Sequence, residues 1–166
     1  MLRNARHVGN VPVQRFYMSQ TTRKMRDLAE RLIAHEAKGN KTVSSFPPQS
    51  FLVVDQLRPH LANLMGSAGF RALLSRSLVL ANAEVPWLHA VNVNEDGSLA
   101  GFVELESQIG PRNFFEGKVV VLAQLLGLLA AFIGEILTLQ LVGEIWPNLL
   151  LNDLDSGKKA EYEKTS

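Results

Sequence analysis

The sequence predicts an all-α fold, a helical bundle of about four helices around one long apolar helix, with a small β-hairpin or an ordered loop near residues 90–103. Three observations predict it. Apolar residues recur at helical spacing through Met25, Leu28, Ala29, Leu32 and Ile33, and again through Phe70, Leu73, Leu74 and Leu78; this is the period of a helix with one buried face. The run from Val119 to Val142 is almost wholly apolar. Strand-like alternation appears at Val91 and Val93, ahead of an Asp96-Gly97 turn.

Each segment fits that scheme in turn. Residues 1–18 carry Arg3, Arg6 and Arg15 and no acid. That composition resembles a mitochondrial transit peptide, and the lack of a continuous apolar stretch excludes a secretory signal. Met18-Ser19-Gln20-Thr21-Thr22 reads as a natural start, so 1–18 are expected to be a disordered N-terminal extension. A first helix is predicted from about Thr21 to Lys38, stopped by Gly39. "GNKTVSSFPPQS" reads as a loop. A second helix starts near Pro48 to Ser50, with Phe51, Val54, Leu57, Leu61 and Leu64 inward and a kink expected at Pro59. "GSAG" at 66–69 breaks the chain, and a third helix covers about Phe70 to Ala83. The long apolar helix is placed at about 118–146, within a single domain of residues 19–151. Residues 152–166 read as a polar flexible tail.

At 166 residues the chain is sized for one domain with a core of its own. A composition of 46% hydrophobic and 20% charged residues is that of a globular protein. The absence of cysteine excludes disulfides, thiolate metal sites and cysteine nucleophiles. Charge is unevenly distributed. Residues 1–76 hold twelve Lys/Arg against four Asp/Glu, a balance of +8, and residues 77–166 hold five against twelve, a balance of −7. Either the halves face each other, within one fold or across a dimer, or the basic half meets an anionic partner. The first reading is preferred, because basic residues spread through helices are usually a solvated face.

Val119 to Val142 is 24 residues, of which fifteen are Val, Leu, Ile or Phe. As one helix it would extend roughly 36 Å, enough for a hydrocarbon core of about 30 Å. Insertion energies are marginal: about −7 kcal/mol from the apolar residues against about +2.5 to +3.5 for the acid at its centre. A helical wheel at about 100° per residue places Ala131, Glu135 and Thr138 within about 40° of Gln124, with Gly127 and Gly134 beside them. This small and polar face predicts where another helix approaches. Glu135 is expected to have a structural role, paired with Arg71 or Arg76, since buried carboxylates are normally partnered.

No catalytic signature is present. His7, His35, His60 and His89 are scattered, and His35-Glu36 has no second histidine four residues on. "NVNEDGSL" lacks the ligand ladder and closing glutamate of a calcium loop. There is no phosphate-binding glycine motif, and Ser67 in "GSAG" has no evident base. No recognition helix gathers the basic residues with Asn or Gln readers, so nucleic acid is an unlikely partner. Neither a cofactor nor a metal is expected.

The blocks "KMRDLAERLIAHEA", "GFRALLSRSLVLANAEVPWLHAVNV", "DGSLAGF" and "LLGLLAAFIGEILTLQLVGEIWP" resemble a family of small bacterial helical proteins of around 150 residues with no assigned activity. The resemblance covers about Lys24 to Asp153. It implies that the long helix, Glu135 included, is a recurring part of the domain, and it supports Met18 as the start. The expectation is therefore a non-enzymatic, cytoplasmic bacterial protein that acts through protein–protein contacts, a homodimer being one form. The alternative is a single-pass protein with 119–142 across the inner membrane and its helical N-terminal region in the cytoplasm.

Overall fold

The computed structural model describes residues 11–39 and 51–149, with side chains from Gln20 onward. Five α-helices follow in order: α1 (Val11–Gly39), α2 (Leu52–Glu84), α3 (Phe102–Ile109), α4 (Pro111–Ile133) and α5 (Glu135–Ile145). A short 3-10 helix, Pro86–Ala90, and a two-stranded hairpin, β1 (Asn92–Val93) and β2 (Leu99–Ala100), lie between α2 and α3. The strands are antiparallel, pairing Asn92 with Ala100 and Val93 with Leu99. The predicted all-α bundle with a small hairpin is the observed fold.

The bundle is built around α4. Val119, Val120, Val121 and Leu122 are buried in succession, and Leu125, Leu126 and Leu129 follow. A helix buried on so many sides is a core helix. Both α1 and α2 pack chiefly on it and touch each other little. α1 contributes the predicted stripe, Met25, Leu28, Ala29, Leu32 and Ile33, all buried. α2 contributes Val54, Leu57, Leu61, Phe70, Leu74 and Leu78. Full burial of each large aliphatic side chain is worth about 1.5–3 kcal/mol, so this shared shell is the main source of stability.

Three boundaries depart from expectation. α1 starts at Val11, ten residues before Thr21, so 11–18 are helical and not disordered; Pro12 sits in the first turn, where its missing N–H costs nothing. Pro59 does not break α2. The non-helical residue inside α2 is Gly66, at φ 80° and ψ 161°, which is the break expected at "GSAG". Leu64, expected inward, is exposed, because packing against α4 lapses as the chain approaches Gly66. Residues 1–10, the 40–50 loop and the 152–166 tail lie outside the described residues.

One end of the bundle is clamped by aromatic rings. Phe51 stacks on Phe102 with centroids 5.3 Å apart, Phe102 lies 4.8 Å from Phe114, and Trp87 lies 6.0 Å from Phe114. The cluster joins the start of α2, the 3-10 helix, α3 and the start of α4. Trp87 fits because Gly117 has no side chain: a Cβ there would lie 2.2 Å from Trp87 Cζ2. Lys118, next along α4, sits over the Phe51 and Phe114 rings at 5.6 and 5.4 Å and 3.8 Å from the Glu36 carboxylate of α1. Phe51 cannot cap α2 with its side chain; Glu36 accepts a hydrogen bond from the Val53 amide instead, at 3.4 Å.

Burial holds the Glu36 carboxyl above the usual carboxylate range, against the pull of Lys118 and of the Val53 amide. A carboxyl raised in the folded state contributes stability that is full below its unfolded pKa and is lost as pH rises through the folded value. Glu36→Gln has no proton to lose. Its stability relative to the native chain, measured by urea denaturation, is expected to rise between about pH 4 and about pH 7, and a difference independent of pH would contradict this. Gly117→Ala is expected to lower stability by about 1–3 kcal/mol through overpacking against Trp87, visible as a reduced urea midpoint at unchanged slope.

Candidate functional site

The apolar run expected as one helix over 118–146 is two helices. Gly134 holds φ 94° and ψ 154°, a conformation that residues with a Cβ rarely adopt. Its amide donates to the Ala130 carbonyl at 2.8 Å and ends α4. Its carbonyl accepts from the Thr138 amide at 3.1 Å and from Thr138 Oγ1 at 2.8 Å, which opens α5. Glu135 is therefore the first residue of α5 and not the centre of a longer helix. A carboxylate there complements the positive end of the helix dipole.

The expected pairing of Glu135 with Arg71 or Arg76 is not formed. Glu135 Oε1 accepts from Lys24 Nζ of α1 at 2.9 Å. The expectation assumed a continuous helix with the acid enclosed on the α2 side; the break at Gly134 turns Glu135 towards α1, near the surface. An exposed pair of this kind contributes about 0–1 kcal/mol. Arg71 is half-buried, and its Nε has no hydrogen-bond partner among the described residues. Arg76 is exposed on α2.

The small and polar face also differs from expectation. Gln124, Gly127, Ala131 and Glu135 line a groove of about 520 Å³. Its walls are Thr21, Thr22 and Arg26 of α1 and Leu80 and Glu84 of α2. Arg26 crosses its rim to Glu84 at 2.7 Å and reaches Glu116 at 3.7 Å. No helix seats closely on the face: a Cβ on Gly127 or Gly134 would meet nothing within 4 Å. Thr138 alone of the six is buried, and it serves the start of α5. The close approach that needs a glycine is at Gly117, which the wheel did not single out.

The charge asymmetry resolves within the chain. The pairs Lys24–Glu135, Arg26–Glu84 and Arg26–Glu116 each join the basic first half to the acidic second. The Asp96 carboxylate accepts hydrogen bonds from the Ser98 amide and Oγ, which tighten the hairpin turn and hold its pKa low. Among the described residues, no three His, Asp or Glu side chains gather in a metal-holding group. His35, His60 and His89 are exposed and lie on separate elements, and His7 lies outside the described residues.

No family model, curated protein or solved structure matches the chain. The likeness to small bacterial helical proteins rests on the quoted blocks alone.

Sequence reasoning missed an exposed apolar surface at the two helix breaks. Leu64 is 53% exposed, Phe132 69%, Ile136 74% and Leu137 54%. Leu64 and Leu137 share a groove of about 440 Å³ between the first part of α2 and α5. Phe132 borders a second, of about 570 Å³, between the later part of α2 and α4. The available signal was the pair of glycines: Leu64 and Phe132 each stand two residues before one, Gly66 or Gly134.

Two substitutions separate the roles of the glycines on the predicted face. Gly127→Ala is expected to stabilise the chain by up to about 1 kcal/mol, since it gains helix propensity and meets open space. Gly134→Ala is expected to destabilise it by more than about 1 kcal/mol, since alanine resists positive φ. Thermal midpoints measured side by side check both signs.

Proposed function

We propose that this chain is a non-enzymatic helical protein of the bacterial cytoplasm that works through protein–protein contacts. The observation that carries this reading is the surface made by Leu64, Phe132, Ile136 and Leu137. Scattered exposed apolar residues are ordinary, but a set converging on two grooves is the usual mark of an interaction site. Support also comes from the layout of polar groups. The carboxylates Glu135, Glu84 and Glu36 are engaged with Lys24, Arg26 and Lys118 in pairs that tie the helices together.

The alternative, a single-pass membrane protein, is favoured by one observation: α4 is long and apolar enough to cross a membrane. Two features weigh against it. Half of its most apolar eighteen-residue window is buried inside the fold. The helix also ends at Gly134, so a spanning segment over 119–142 would have to close the break.

A photo-crosslinking side chain in place of Phe132, activated in cells, tests the reading. Protein adducts are expected. Lipid adducts alone, or none, would overturn it.

A further inference from the structure

We propose that the surface at the two helix breaks is a two-fold interface between copies of this chain. The inference rests on the protein-contact reading and names the partner. A two-fold interface needs a patch that complements itself, because each residue meets the other copy's version of the same surface. This patch has the required features side by side. Phe132, Ile136 and Leu137 protrude. Next to them lies the groove of about 570 Å³, lined by Met65, Ala72, Leu73 and Leu128. Protrusion and recess on one face allow Phe132 of each copy to enter the recess of the other.

Charge points the same way. Arg76 borders the groove on the α4 side, and Glu144 borders the groove on the α5 side. Both are exposed, and neither forms an ion pair among the described residues. The apolar residues lie between them. A two-fold rotation through the patch exchanges its ends, so Arg76 of one copy meets Glu144 of the partner, twice over. A partner of different sequence would give no reason for one cation and one anion to stand unpaired at opposite ends of a single apolar surface.

The test uses the full chain in sedimentation velocity. The native chain is expected to dimerise reversibly. Arg76→Glu places like charges at both contacts, as does Glu144→Arg, and each is expected to weaken association at least about tenfold. Mixing the two variants restores opposite charges at both contacts, so the mixture is expected to form a heterodimer near native affinity. Both positions are exposed, and unchanged circular dichroism and thermal midpoints verify the fold of each variant.

Any of three results would overturn the proposal: a monomer at every concentration up to the solubility limit, a mixture of variants that stays monomeric, or a dimer indifferent to all of these changes. A monomer whose position 132 crosslinks to its own residues 150–166 would assign the surface to the chain's end. A monomer that crosslinks to another protein would end the two-fold interface and leave the protein-contact reading standing.

Discussion

A single backbone conformation, positive φ at Gly134, decides what the apolar stretch of this chain can be. With a helical residue there, the run from α4 into α5 would continue at 1.5 Å per residue to membrane length. With the break, α4 closes on the Ala130–Gly134 hydrogen bond and α5 starts anew on the carbonyl of Gly134. Glu135 passes from the middle of a helix to its N-terminus, where dipole and solvent both accommodate its charge. The acid that makes insertion marginal is thereby one that a folded bundle holds at little cost.

α4 then becomes an axle enclosed by the chain itself. Apolar residues on successive positions, Val119 to Leu122, can all be buried only if neighbours approach from several sides. α1 and α2 do so, and the aromatic clamp fixes the end where α2, the 3-10 helix, α3 and α4 meet. The clamp depends on the missing side chain of Gly117 and on Lys118, which serves the rings and Glu36 at once. At the other end, Gly66 and Gly134 interrupt α2 and α4 near each other, and packing gives way to exposed Leu64, Phe132, Ile136 and Leu137. A tight end and an open end thus follow from where four residues fall in the sequence.

Much of this was legible in the sequence. The stripe of α1 and the inward residues Phe70, Leu74 and Leu78 follow from periodicity, because burial against a common core imposes a helical repeat. The turn at Asp96-Gly97 follows from local chemistry. The site was read less well, for a physical reason. A helical wheel extrapolates one backbone conformation along the chain, so it has no means of registering a glycine that leaves it. Gln124, Gly127, Ala131 and Glu135 do share a surface, yet it is a groove wall and not a packed seam. Arg71 and Arg76 were assigned to Glu135 through the same continuous helix. Gly117 carried no signal at all, since its role depends on where Trp87, thirty residues earlier, comes to rest.

Native-state hydrogen exchange on the full chain purified without detergent tests the central claim, that α4 is an enclosed core helix ending at Gly134. The slowest amides are expected within 119–130, near the global unfolding free energy. Protection is expected to fall across 134–137 and to recover in α5. Uniform protection from 119 through 142, or a chain that is protected only in detergent, would contradict the account.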